Sequence, residues 1–267
     1  MKWMKKYWYY LKSLIDIMLN LRNWPLFFWL FLVKSKPGEF LVSIRKPPIR
    51  MAVRSAMDIW AVKETVVDAF YTRYGMPIQD HWRIIDIGAG IGDFCVYAAY
   101  GRPKAAIYAY EPFSESYRLL LKNLRLNAVD NVKAYQQAVW SSDVLLTLDV
   151  SSGEPLQITS NGMDRVSKHK DVITVQARSL ASIMKEHNLE NVNLVKLDCE
   201  GAEYEILLQT PAIVLAKIDR IIMEYHDLDS SANHQTLILF LEKAGFDVSR
   251  YDNFVHNKIG YLFACRE

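Results

Sequence analysis

The 267 residues are 51% apolar with 32 basic and 30 acidic side chains, enough for one α/β domain with a sizeable core and too apolar for a disordered chain. Three widely separated cysteines, Cys95, Cys199 and Cys265, support neither a disulfide framework nor a zinc site and fit a reducing compartment. Charge is uneven: residues 1–50 carry ten basic residues against Asp16 and Glu39, a net +8 that leaves −6 for the rest, which implies a surface partner for the basic part.

Met4, Trp8, Leu11, Ile15, Met18 and Leu21 recur at helical spacing, so the chain opens on an amphipathic helix. The run Trp24–Val33 is wholly apolar but ten residues long, about half of the ~20 that a membrane span needs. No small-x-small cleavage site follows it, so a secretory signal is not expected. Tryptophan and tyrosine mixed with lysine suit a segment lying in a membrane interface, with residues 1–36 facing anionic lipid. Packing on the domain or on a second copy, giving a homo-oligomer, is the alternative. No nucleic-acid module accompanies the basic stretch. The expected organisation is therefore a helical extension over 1–50 and an α/β domain over 51–267, at the cytoplasmic face of the membrane.

Pro37-Gly38 and Pro47-Pro48 mark a linker. A helix is expected over Met51–Tyr74, ended by Gly75-Met76-Pro77. Arg83–Ile87 reads as a buried parallel strand, followed by a helix from Phe94. Then come a strand at Ala106–Tyr110, a helix at Phe113–Leu126 and a strand at Val132–Val139. Short alternating runs (Val144–Leu148, Leu156–Thr159, Ile173–Ala177) broken by Ser151-Ser152-Gly153 and Asn161-Gly162 predict extra strands or loops. Further on, helices are expected at Ser179–His187, Glu203–Gln209 and Asn233–Ala244. Strands are expected at Val192–Asp198 and Ile218–Tyr225, with a closing pair, Asp247–Tyr251 and Gly260–Cys265. The alternation predicts a doubly wound, mostly parallel sheet with an antiparallel hairpin at its end.

Gly88, Gly90 and Gly92 fall at alternate positions between the first strand and its helix, letting the backbone approach a ligand. A dinucleotide fingerprint would want a third glycine at position 93, which is Asp93, a poor neighbour for phosphate. An acidic residue two places before G-x-G-x-G resembles the first motif of class I S-adenosylmethionine methyltransferases, a resemblance that implies a cationic ligand without phosphate; a glycine turn with no ligand is the plain alternative. Glu111 lies 23 positions after Gly88, placed to accept hydrogen bonds from ribose hydroxyls or simply to favour the helix that starts after Pro112. Lys196, Asp198 and Glu200 alternate at the end of a strand, as do Glu224 and His226 on the next. Charges gathered at strand carboxyl ends are where open α/β sheets bind ligands. Histidine there suits removal of a hydroxyl proton, though a self-satisfied charge cluster fits as well. Asp198, Glu224 and His226 leave room for Mg²⁺, without a ligand spacing that demands a metal.

IIDIGAGIGDF, AYEPFSESYRLLLKNLRLN, LVKLDCEGAEYEIL and IIMEYH, in this order, resemble the FkbM family of S-adenosylmethionine (SAM) methyltransferases over residues 80–227. The resemblance implies a class I, Rossmann-like fold with a seven-stranded sheet and transfer of a methyl group to a hydroxyl, on a polyketide or sugar. It implies SAM held by Asp86, Gly88, Ala89, Gly90, Gly92, Glu111 and Pro112. It also implies an acceptor side lined by Lys196, Asp198, Glu200, Glu224 and His226, with His226 or Asp198 as proton acceptor. Gly90 stands where the family often has asparagine. A sugar of a glycan or glycolipid at the membrane is the expected acceptor. A soluble metabolite, with the extension used for dimerisation, and a non-catalytic tethered SAM-binding module are the competing readings.

Overall fold

The computed structural model describes residues 2–33, 38–149, 156–158, 172–253 and 255–266. Two helices, α1 (Lys2–Asn20) and α2 (Pro25–Leu32), lead into a hairpin of β1 (Phe40–Ser43) and β2 (Arg50–Val53). Helix α3 (Ala56–Val62) widens into a π turn over Lys63–Val67 before α4 (Phe70–Arg73). The α/β alternation follows: β3 (Arg83–Ile87), α5 (Asp93–Ala99), β4 (Ala106–Tyr110), α6 (Ser114–Leu126) and β5 (Val132–Tyr135). Next are β6 (Ala138–Trp140), β7 (Leu145–Asp149), β8 (Leu156–Ile158) and β9 (Val172–Ser179). The chain closes with α7 (Leu180–Glu186), β10 (Leu194–Leu197), α8 (Glu203–Leu208), α9 (Ala212–Leu215), β11 (Arg220–His226), α10 (His234–Lys243), β12 (Asp247–Asp252) and β13 (Ile259–Cys265).

Among the described residues the main sheet has seven strands in the order β12-β13-β11-β10-β3-β4-β5. β13 runs antiparallel to both neighbours and the remaining pairs are parallel, as expected of a doubly wound sheet with a terminal hairpin. The chain steps outward from β3 to β5, then returns to lay β10 on the other side of β3. Winding thus reverses between β3 and β10, where Asp86 is in register with Lys196 and Ile87 with Leu197. At such a switch the two following loops turn opposite ways and leave a crevice at the strand ends. The glycine loop and the acidic cluster both arrive there.

Two elements differ from the sequence expectation. The helix expected over Met51–Tyr74 begins only at Ala56, because Met51–Val53 pair with Phe40–Val42 in the hairpin and Ser55 caps the helix by accepting the Asp58 N–H. The open edge of β2 is closed by the Asn123 side chain, whose Oδ1 accepts the Ala52 N–H at 2.6 Å. Farther on, Ala69 takes left-handed angles and splits off α4. The strand expected at Val132–Val139 stops at Tyr135, and Ala138–Trp140 joins a second sheet beside β9. The Ser151-Ser152-Gly153 and Asn161-Gly162 turns lie outside the described residues.

The basic extension is built into the domain. One side of α1 buries Ser13 and Ile17; Ile17, Leu21 just past the helix, and Phe27 and Leu30 of α2 belong to the same cluster as Ile84 and Leu194 of the sheet. Polar ties lock this side to the π turn. Lys63, 1% exposed, reaches Ser13 Oγ at 2.7 Å and Asp68 Oδ2 at 2.5 Å, and the Tyr9 hydroxyl donates to Glu64 Oε1 at 2.7 Å. Removing the extension would therefore open the core of the domain. Ile17→Val, which deletes one methylene from that contact, is expected to cost about 0.5–1.5 kcal/mol in urea unfolding. An unchanged midpoint would mean that α1 packs only loosely. No helix among the described residues is long and apolar enough to cross a membrane.

Candidate active site at the strand ends

The backbone N–H groups of Gly88 and Ala89 donate to the Tyr110 carbonyl at 3.1 and 3.0 Å, so the loop leaving β3 is pinned to the end of β4. Gly88 has φ +71°, and a Cβ there would stand 1.8 Å from the Asp198 carbonyl oxygen. Only glycine lets the ends of β3 and β10 close on each other. Gly90, at φ +53°, would meet nothing within 4 Å, so its Cβ position is open space. Gly92 precedes α5, whose first residue, Asp93, accepts a hydrogen bond from Thr65 of the π turn.

Beneath the loop Asp86 is fully buried, with Lys196 Nζ 3.0 Å from Oδ1 and the Cys95 thiol 3.0 Å from Oδ2. Oδ1 makes a charge contact rather than an aligned hydrogen bond. Lys196 spends its hydrogen bond on the Gly88 carbonyl, 2.8 Å away. Burial alone would lower its pKa; Asp86, Asp198 and Asp93 outweigh that and hold the ammonium charged. Asp86 and Lys196 are thereby a strut under the glycine loop.

Glu111, at the end of β4, is 6% exposed; Oε2 accepts the Gly90 N–H at 2.7 Å and Oε1 the Phe113 N–H at 2.9 Å. Burial pushes its pKa up to about 7 against those two bonds. Each oxygen keeps a second lone pair. A buried carboxylate short of donors, next to the open face of Gly90, fits a ribose carrying two hydroxyls. The residues therefore fit an adenosyl cofactor. Pro112 joins Glu111 to the turn before α6.

The acceptor-side residues meet at the ends of β10 and β11. Tyr71 of α4 donates its hydroxyl to Asp198 Oδ2 at 2.8 Å. His226 stands between carboxylates, with Nε2 3.4 Å from Glu200 Oε2 and Nδ1 3.2 Å from Glu203 Oε1. Burial would lower the His226 pKa, but hydrogen bonding and charge from Glu203, then Glu200 and Asp198, raise it to about 10. The ring is thus protonated at neutral pH, unlike the proton acceptor expected from sequence. Glu224 has no hydrogen bond among the described residues, and burial, reinforced by Asp198, raises its pKa well above the ordinary carboxylate range. A cavity of about 170 Å³ joins the two halves of the site: Gly88, Gly90, Asp93, Lys196, Asp198 and Glu224 all line it.

Sequence reasoning missed Tyr71 and Glu203. Glu203 opens α8 and stands three places after Glu200, so the E-x-x-E spacing of the loop was its only local signal. Tyr71 had none, since its partner lies 127 residues away.

Residues 86–248, more than half of the chain, match the family described as the methyltransferase FkbM domain. The "Methyltransferase 1" of Beauveria bassiana is 29% identical over 203 residues, spanning 70% of this chain and 80% of that protein. The hexuronic acid methyltransferase AglP of Haloferax volcanii is 25% identical over 179 residues, spanning 66% and 70%. Among solved structures, a methyltransferase FkbM from Methylobacillus flagellatus superposes with a TM-score of 0.49 at 12% identity, covering 78% of this chain and 54% of that one.

Proposed function

The chain belongs to the FkbM methyltransferase family, and we propose that this SAM-dependent methyltransferase acts on a sugar hydroxyl of a glycan or glycolipid at the cytoplasmic face of a membrane. One observation carries the chemistry: the glycine loop and the Glu224 carboxylate face a single cavity. SAM supplies a methyl group on a cationic sulfur, which an alcohol oxygen can take once its proton is removed. Glu111 accepts the ribose hydroxyls, and Gly90 leaves the loop bare where the cofactor approaches. Glu224, without a hydrogen bond of its own and with a raised pKa, takes the acceptor's proton. The protonated His226 offsets the negative charge of Glu200 and Glu203 beside it. Holding both reactants at the strand ends makes the displacement effectively intramolecular.

A sugar acceptor is supported by the similarity to a relative named for methylating hexuronic acid. The test is formation of S-adenosylhomocysteine (SAH) from SAM with a panel of acceptors. Uronic-acid oligosaccharides, free and on a polyprenyl lipid, should support turnover that small alcohols do not. Turnover on small alcohols alone would replace the glycan with a soluble metabolite, and SAH binding without turnover on any acceptor would favour a non-catalytic module.

The membrane part of the reading rests on the side of α1 that faces away from the core. Trp8, Leu11, Ile15 and Leu19 recur there at helical spacing, and Trp8 and Leu19 are 68% and 65% exposed. Phe31 and Leu32 of α2 are 66% and 79% exposed, and Lys6, Lys12 and Arg22 of the same N-terminal segment are exposed as well. Lys34 and Lys36 lie outside the described residues. Basic charge favours anionic lipid by about 1 kcal/mol per residue, screened by salt, while the apolar side chains add burial that salt leaves intact. The full chain should co-sediment with phosphatidylglycerol vesicles and be only partly released by high salt. The triple substitution Trp8→Ser, Leu19→Ser, Leu32→Ser changes only exposed side chains and should weaken that binding at least about tenfold, roughly 1.4 kcal/mol. Should the wild type ignore vesicles and the triple variant shift a dimer to monomer, this surface is a subunit interface instead.

A further inference from the structure

We propose that Asp198, Glu200 and His226 form a binding site for a divalent transition cation of the Mn²⁺ type. One ligand atom from each residue can be chosen so that all lie within 4.8 Å of one another. A cation bound at about 2.1–2.4 Å places opposed ligands about 4.2–4.8 Å apart and adjacent ones closer, so the three atoms already span a coordination sphere. The fold creates this nearness. β10 and β11 are parallel neighbours with Leu197 opposite Met223, so Asp198 and Glu200, just past β10, lie beside the His226 end of β11.

A buried carboxylate behind the imidazole supports the site. Glu203 is fully buried, Oε1 lies 3.2 Å from His226 Nδ1, and Oε2 has no hydrogen-bond partner among the described residues. A buried carboxylate on one imidazole nitrogen is the arrangement that turns the other nitrogen towards a metal and fixes the ring. Here that other nitrogen, Nε2, points to Glu200. The charge balance agrees. Asp198, Glu200, Glu203 and Glu224 gather around His226, whose imidazolium proton a bound divalent cation would displace and replace as the balancing charge, while the nearby Lys196 is committed to Asp86 and the Gly88 carbonyl. Excess negative charge in a partly buried place is costly without a cation. An imidazole with two carboxylates suits Mn²⁺, Fe²⁺ or Zn²⁺ better than Mg²⁺, which favours an all-oxygen shell.

The binding claim stands on this geometry; the role of the ion rests on the proposed hydroxyl methylation. A cation beside Glu224 would polarise the acceptor O–H. The proton passes to Glu224, the oxygen–methyl bond forms as the sulfur–methyl bond breaks, and the sulfur keeps the electron pair in SAH.

The test uses the full chain, stripped with EDTA, dialysed, and titrated with MnCl₂ while free Mn²⁺ is followed by electron paramagnetic resonance. One site per chain is expected, occupied preferentially over Mg²⁺. Asp198→Asn and His226→Gln should each weaken it at least tenfold, and Glu203→Gln, which touches the ring but not the ion, by about 10–100-fold. Thermal melting and SAH calorimetry on each variant show that the fold and the cofactor half are intact. No Mn²⁺ bound to wild type, or unchanged affinity in His226→Gln, overturns the site while SAH binding leaves the methyltransferase reading standing. Mn²⁺ binding with turnover that is indifferent to EDTA overturns the catalytic role of the ion.

Discussion

Glu224→Gln should lower turnover about 10²–10⁴-fold, the usual scale for a missing proton acceptor, while SAH affinity stays within about threefold of wild type. The substitution keeps the size of the side chain and removes only its basicity. Glu224 makes no hydrogen bond among the described residues, so little structure depends on its charge. The proposed cofactor contacts are Gly90, which lines the same cavity, and Glu111, which accepts the Gly90 N–H, so SAH binding should survive. The pH profile gives a second readout. Burial raises the Glu224 pKa, so the basic carboxylate is present only above that raised value. Activity should therefore fall with decreasing pH well before the ordinary carboxylate range is reached. Were His226 the acceptor, activity would instead rise only as pH approaches about 10, where its ring loses the proton. Full turnover in Glu224→Gln, or an acid limb at an unperturbed carboxylate pKa, would remove Glu224 from the role.

What the sequence made legible is what sits within a few residues of its own cause. Arg83–Ile87 ends on glycine because the strand ends there, and Glu111 follows a second strand of the same kind. Both strands formed where expected, and Glu111 Oε2 accepts the Gly90 N–H at 2.7 Å. The lines of charge at Lys196–Glu200 and Glu224–His226 converged because neighbouring parallel strands end together. Beyond that, the meaning of a charge depended on partners far along the chain. Lys196 and Asp86 read as ligand-facing residues, yet they pair beneath the loop across 110 positions, and only Lys196 also reaches the cavity wall while Asp86 is fully buried. His226 read as a base, yet Glu203 and Glu200 hold its proton. The extension behaved similarly. Its amphipathic pattern showed two sides, and only the fold showed that Ile17 and Leu21 are sealed into the core while Trp8 and Leu19 face out. Met51–Val53 had helical periodicity, but hairpin pairing and the Asn123 side chain, remote in sequence, decided otherwise.

The two loop glycines should separate cofactor binding from folding. Gly90→Val is expected to leave a folded protein that binds SAH at least about 100-fold more weakly, roughly 2.7 kcal/mol. Its side chain would enter open space, so nothing in the protein has to move; the molecule displaced is the one that occupies that space. The left-handed angle at φ +53° adds a cost of about 1–2 kcal/mol for a residue with a Cβ, visible as a lower melting temperature. Gly88→Ala should behave differently. Its methyl would stand 1.8 Å from the Asp198 carbonyl, so the ends of β3 and β10 must part. That separation breaks the backbone bond from Asp198 N to Ile87 O and pulls Lys196 from the Gly88 carbonyl. Several kcal/mol of stability should go with it, and loss of SAH binding in this variant would report the fold rather than the cofactor contact. Circular dichroism melts with SAH calorimetry on both variants give the comparison. If Gly90→Val bound SAH as tightly as wild type, the open face of the loop would not be where the cofactor approaches. If Gly88→Ala melted like wild type, the close contact between the two strand ends would be wrong.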